Sequence, residues 1–308
     1  MALQVAHKKT IRYCFKKTYM KNIFIEQLTI ATRKNKNICL IVNDLGFGMI
    51  ENYSKEFPRN IFNAGVSEQS MMGYAAGLAA KGKHVFVYSI ANFNTFRCAE
   101  QIRNDVDYHN LPVTIVSAGA GVGYGNLGYS HHAIQDYSLI RSFPNMLIAS
   151  PGDIMELKSC LEYIIKRPQP SYLRLDKSSN YQIHKKKPNI SPGKWIKVFD
   201  HKNDVKNTEI YLTTGAVIEF IKDKIDKKKY KPRSLFSIPL WGMKFKKNQN
   251  KNLKKFKKII VVEDHLKDGG FQSWLHESFT NDKLISKSLD SKVIKKVGSK
   301  EFLMNYLK

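Results

Sequence analysis

Phe62-Asn-Ala-Gly-Val-Ser-Glu68-Gln-Ser-Met-Met-Gly-Tyr-Ala-Ala-Gly-Leu-Ala-Ala80 is the stretch whose reading decides the fold. It predicts a short buried strand over residues 61–64, a turn at Gly65, and a helix starting near Ser67. Ser67 is expected to cap that helix, because a serine hydroxyl accepts an orphan amide of the first turn. The helix behind it is nearly all apolar, with Met71, Met72, Ala75, Ala76, Leu78 and Ala79, and it carries Gly73 and Gly77 on one face. Its one acid, Glu68, lies in the first turn, where the helix dipole favours a carboxylate. Pattern alone leaves two readings of Glu68 open: a capping device, or a half-buried catalytic acid.

Outward from this segment, strands and helices alternate. Strands are expected at 38–42, 85–89, 112–116, 146–149 and 172–175, and helices at 24–32, 96–108, 134–141 and 153–166. The run Ile38-Cys-Leu-Ile-Val42 is continuously apolar, as a parallel strand covered on both faces should be. This order predicts an α/β fold built on a doubly wound, mostly parallel sheet. After a polar stretch rich in Lys and Pro, a smaller alternation follows, with strands at 209–213, 234–238 and 259–263 and helices at 216–226 and 270–279. The expected division is a basic N-terminal extension (1–17), a first domain (18–178), a linker (179–193) and a second α/β domain (194–308). The Lys-rich run 244–258 reads as a solvated helix and loop.

The chain has 308 residues, 43 % hydrophobic and 11 % aromatic, ordinary values for a soluble globular protein. Its formal charge of +25 comes mostly from lysine, since arginine supplies only 9 of the 51 basic residues. Residues 1–176 contribute +7 and residues 177–308 contribute +18. Specific phosphate and base recognition uses arginine forks, so scattered lysine argues against a nucleic-acid partner. No stretch approaches the roughly 18 apolar residues of a membrane helix. The basic N-terminus lacks the continuous apolar core of a signal peptide, so none is expected. Cys14, Cys39, Cys98 and Cys160 are widely spaced, with no Cys-x-x-Cys pair and no zinc-ligand spacing. They read as reduced thiols of a cytoplasmic protein.

In open α/β sheets, ligands bind beyond the carboxyl ends of the strands. Three features fall there: residues 65–68, residues 89–96, and a glycine-rich loop (Gly119, Gly121, Gly123, Gly125, Gly128) leading to His131 and His132. The loop fits neither phosphate-cradling glycine pattern, neither the Walker type nor Gly-x-Gly-x-x-Gly opening a helix. The adjacent histidines point to opposite sides in extended backbone, so one at most faces a common site. For either, a surface or satisfied core position is the plain alternative.

Asn63-Ala-Gly-Val-Ser-Glu68-Gln resembles the Gly-Ile-x-Glu-(Gln/His) segment of transketolases and deoxyxylulose-phosphate synthases. Gly125-Asn-Leu-Gly-Tyr-Ser-His131-His resembles their Gly-x-Asp-Gly-x-Thr-His-Gln. Glu100-Gln-Ile-Arg-Asn104, Leu111-Pro-Val113, Arg141-Ser-Phe-Pro-Asn145, Pro151-Gly-Asp153 and Pro170-Ser-Tyr-Leu-Arg174 follow in the family's order. Val262-Glu-Asp-His265, with Gly269-Gly270, resembles its C-terminal domain. The resemblance spans about residues 18–308.

It implies a pyrimidine-binding domain at 18–178 and a transketolase C-terminal domain at 194–308. The implied cofactor is thiamine diphosphate, with its aminopyrimidine held here. Its diphosphate and Mg²⁺ are held in the family through Gly-Asp-Gly, which this chain lacks, so the implied partner is an N-terminal-type transketolase subunit in an α2β2 assembly. The resemblance makes Glu68 the donor of a hydrogen bond to a pyrimidine nitrogen, Phe93 the stacking aromatic, and Ile90 and Gln69 further cofactor contacts; Ile90 stands where relatives have a second aromatic. His131 becomes catalytic and, with His132, Asn126 and Lys177, substrate-binding. Relatives carry a sugar-binding acid where this chain has Leu127, and a histidine where it has Gly119. Lys177 and Lys21 take the place of phosphate-holding arginines, so the substrate is expected to differ from the usual pentose phosphate. The implied reaction is transfer of a two-carbon ketol unit between sugars. Alternatives are a deoxyxylulose-phosphate-synthase-like enzyme, a 2-oxoacid dehydrogenase beta-type subunit, or a non-catalytic assembly subunit.

Overall fold

The structure, a computed structural model, describes residues 19–177, 179–201, 208–247, 249–278 and 283–308. The expected basic extension and Cys14 therefore lie outside the described residues.

The first unit runs α1 (Met20–Lys34), β1 (Ile38–Val42), α2 (Glu51–Glu56), β2 (Ile61–Asn63), α3 (Glu68–Ala80) and β3 (His84–Ile90). It continues through α4 (Ala91–Thr95), α5 (Ala99–Gln101), β4 (Val113–Ala118), α6 (Asp136–Ile140), β5 (Leu147–Ala149), α7 (Ile154–Lys166) and β6 (Ser171–Leu175). Its β-strands pair in parallel in the order β5-β6-β4-β3-β1-β2. Strands β1, β4 and β6 are buried at every residue, which explains the unbroken apolar run of β1; β4 and β6 bury polar side chains as well, among them Thr114, Ser117 and Arg174.

The second unit contains β7 (Ile196–Phe199), β8 (Glu209–Thr213), α8 (Val217–Asp226), β9 (Ser234–Ser237), β10 (Leu240–Trp241) and α9 (Gln249–Leu253). It ends with β11 (Lys258–Leu266), α10 (Phe271–His276), β12 (Leu284–Leu289) and α11 (Lys300–Leu303). Five strands form its sheet, in the order β12-β11-β8-β9-β7, with β7 antiparallel to β9. Strand β10 leaves this sheet and adds an antiparallel edge to the first, pairing Leu240 with Ala149 and Trp241 with Ile148. One apolar cluster accordingly runs from Met71 and Val87 through Tyr137 to Trp241, Phe271 and Trp274. The mixed α/β class with two mostly parallel sheets is the one the alternation predicts.

Three local expectations need correction. The strand expected to be buried over 61–64 is β2, an edge strand whose residues are half-buried or exposed. Ser67 precedes α3 but does not cap it; its hydroxyl donates to the Ala64 carbonyl at 2.6 Å and tightens the turn instead. The single helix expected over 96–108 is broken into short pieces that follow α4: a 3₁₀ turn (Phe96–Cys98), α5 and a π-helix (Ile102–Asp107). The breaks reposition side chains that a regular helix would spread around its axis.

Candidate active site

The site forms where β2 and β3 end and α3 and α4 begin. Helix α3 buries Met71, Met72, Ala75, Ala76 and Ala79, and leaves Gln69, Ser70, Gly73, Tyr74 and Gly77 exposed. Glu68 stands at its head, 5 % exposed although charged residues are seldom buried without a partner. The partner is Arg97: its Nη1 donates to Glu68 Oε2 at 3.1 Å. The same guanidinium stacks over the Phe93 ring, 4.0 Å from its centre. Phe93 and Arg97 sit on either side of the break between α4 and the 3₁₀ turn, which brings both to Glu68.

Phe93 also packs against His131. The two rings meet edge to face, with centres 5.1 Å apart. His131 Nδ1 lies 2.9 Å from the Ser130 hydroxyl. Partial burial, aided by the nearby charges of His132, Arg97 and Lys177, lowers its pKa and favours the neutral imidazole. Asn92 fixes the loop, donating to the carbonyls of Ser130 at 3.1 Å and His132 at 3.0 Å. His132 is buried beneath that loop, with Nε2 3.3 Å from the Gly125 carbonyl and Nδ1 without a partner among the described residues. Burial lowers its pKa as well.

Beside this cluster, beyond the ends of β3, β4 and β6, a cavity of about 140 Å³ is lined by Lys21, Tyr88, Ile90, Tyr124 and Lys177 among others. Tyr124 joins the two regions: its ring centre lies 6.0 Å from that of His131, and the Lys177 ammonium sits 4.4 Å from the same ring centre.

Glu68, Phe93 and His131 thus come together, with Ile90 and Lys177 in the adjoining cavity. Gln69 and Asn126 are exposed, and His132 lies under the loop. Arg97, Asn92 and Tyr124 were not legible as site residues. Only the spacing of Phe93 and Arg97, four residues apart, carried a signal.

A single planar cation satisfies both Glu68 and Phe93, so the pair accommodates a flat group that hydrogen-bonds at its edge and stacks on its face. An aminopyrimidine has those properties. A metal set is a different matter: among the described residues, no three His, Cys, Asp or Glu side chains cluster to hold an ion.

Residues 16–182 match the family model for the transketolase pyrimidine binding domain. The chain belongs to that family. It is 34 % identical over 176 residues to one subunit of the apulose-4-phosphate transketolase of Actinobacillus succinogenes, a match covering 57 % of each protein. It is 27 % identical over 290 residues to the 1-deoxy-D-xylulose-5-phosphate synthase of Clostridium perfringens, covering 90 % of this chain and 45 % of the enzyme. The chain spans about half the length of the curated relatives it matches. Its fold matches a structure described as a split gene transketolase, inactive β4 tetramer, with a TM-score of 0.77 and 22 % identity, covering 94 % of this chain and 93 % of that one.

Proposed function

We propose that this chain is the pyrimidine-binding subunit of a split, thiamine-diphosphate-dependent transketolase that transfers a two-carbon ketol unit between sugars in the cytoplasm. The observation that carries the reading is the convergence of Glu68, Phe93 and His131 at the carboxyl ends of a parallel sheet, joined by Arg97. A relative that is itself named as one subunit of a transketolase supports the division of labour. On this reading the diphosphate and Mg²⁺ are held by a partner chain in an α2β2 assembly.

When bound, thiamine diphosphate supplies the carbon nucleophile that carries the ketol unit. Phe93 would stack on its aminopyrimidine and Glu68 would hydrogen-bond to a ring nitrogen; Ile90 and Gln69 complete the proposed cofactor contacts. His131, as a neutral imidazole at the rim, is suited to take a proton from a substrate hydroxyl and return it. Lys177, Asn126 and His132 line or support the substrate side.

The test is reconstitution with a partner carrying Gly-Asp-Gly, plus thiamine diphosphate and Mg²⁺. Ketol transfer should appear only in the mixture, and Glu68→Ala should lower it by at least about 100-fold while the subunits still assemble. Full activity in Glu68→Ala sinks the reading. The relative covering most of this chain favours one alternative, condensation of a 2-oxoacid with an aldehyde, which release of CO₂ from pyruvate would reveal.

A further inference from the structure

The wall between His131 and Lys177 has a steric peculiarity. Gly119, at the end of β4, adopts φ +91°, and a Cβ built there would fall 2.1 Å from Tyr124 Cδ2 and 2.2 Å from Cε2. The ring of Tyr124 therefore fills the space that any side chain at 119 would enter, and neither position can gain bulk without displacing the other. From that seat Tyr124 lines the cavity, reaches His131 and holds the Lys177 ammonium 4.4 Å from its ring centre. Burial raises the phenol's pKa, so the hydroxyl keeps its proton.

We infer that Tyr124 is a specificity-determining residue: its ring limits the depth of the substrate pocket and engages the Lys177 ammonium, so the site prefers a short sugar end without a terminal phosphate. This rests on the transketolase reading. The physical logic has two parts. The ring occupies volume that a phosphate beyond the sugar chain would need. The same ring stabilises Lys177 where it lies, so recruiting that ammonium to a phosphate forfeits a cation–π contact.

The experiment uses the assembled enzyme with thiamine diphosphate and Mg²⁺, and compares glyceraldehyde with glyceraldehyde 3-phosphate as ketol acceptors. Wild type should favour glyceraldehyde. Tyr124→Ala should move the kcat/KM ratio toward the phosphorylated acceptor by about tenfold, chiefly through KM. Adding Lys177→Gln should cancel that gain. Tyr124→Phe keeps the ring and should leave the ratio within about twofold. Tyr124→Leu, which keeps apolar bulk above Gly119, guards against a folding defect and should shift the ratio the same way by a smaller factor. Independently of turnover, inorganic phosphate titrated into the chain by NMR should bind several-fold tighter to Tyr124→Ala than to wild type. An unchanged ratio in Tyr124→Ala, or a wild type that already favours the phosphorylated acceptor, overturns the inference while leaving ketol transfer intact. A wild type inactive with both acceptors overturns the transketolase reading itself, and this inference with it.

Discussion

Glu68 in isolation is a helix-terminal acid, and its setting is what makes it chemically particular. It is nearly inaccessible, it lacks a serine cap beside it, and its contact is a guanidinium that also covers Phe93. On the proposed function, Arg97 engages both groups that an aminopyrimidine would use, and binding of that ring would compete with the contact. The Arg97 side chain is 50 % exposed, and pairs of that kind contribute at most about 1 kcal/mol. Arg97→Ala should therefore tighten thiamine diphosphate binding in the assembled enzyme by about two- to fivefold, measured by calorimetry. Weaker binding would instead identify Arg97 as a support for Glu68. The sequence pointed to Glu68, Phe93 and His131 because short motifs preserve residue types in order. Arg97 is not legible in the sequence because its contact with Glu68 spans 29 residues, and no local periodicity encodes such a meeting.

Among elements, continuous apolar runs were the most legible, because a strand covered on both faces has no polar side to show. The irregular stretch after β3 was the least legible. Its composition supports a helix, but Phe93, Asn94 and Arg97 have tertiary tasks that one regular helix could not meet together. Asn94, for instance, donates to the Val116 carbonyl at 3.0 Å and accepts from the Ser117 hydroxyl at 2.7 Å. Strand β3, which leads into that stretch, opens on a second feature hidden from sequence. His84 is buried beside Phe86, 3.1 Å from the Thr114 hydroxyl on β4, and burial lowers its pKa from 6.5 to about 4. Below pH 6.5 the unfolded chain takes a proton there that the folded chain refuses, so stability is lost as pH falls from 6.5 toward 4. The interval corresponds to about 3 kcal/mol. His84→Gln should flatten the acid limb of stability by up to that amount in urea titrations. The buried Glu263, raised to about 8, and Glu156, raised to about 7, act in the opposite sense, losing stability as pH rises toward those values. They are common to both proteins, so the difference between wild type and variant isolates His84.

At the scale of the molecule, the alternation of strands and helices disclosed two α/β units, but not how they are joined. The crossing of β10 into the first sheet was invisible because two residues carry no periodicity, and the polar stretch between the units looked like a plain connector. That stretch is pinned: the amides of Ile183 and His184 both donate to Asp153 at the head of α7. The deepest link is Arg174 on β6, fully buried, whose Nε donates to Asp136 and whose Nη1 donates to Asp264 on β11, each at 2.7 Å. Its Nη2 donates to the Ala133 carbonyl at 2.8 Å, directly behind His132 and His131, so the joint between units also braces the loop that carries both histidines. A buried ion pair contributes little over a well-packed apolar replacement of the whole group, but removing one partner strands charge in a medium that cannot solvate it. Arg174→Met leaves two carboxylates in that position and should cost about 3–5 kcal/mol in urea unfolding. Neutralising them together, in Arg174→Met with Asp136→Asn and Asp264→Asn, should recover much of the loss. Recovery would assign the cost to uncompensated charge; a triple variant as unstable as Arg174→Met would assign it to the shape and hydrogen bonds of the guanidinium, which also hold the loop carbonyl and stack on Tyr137.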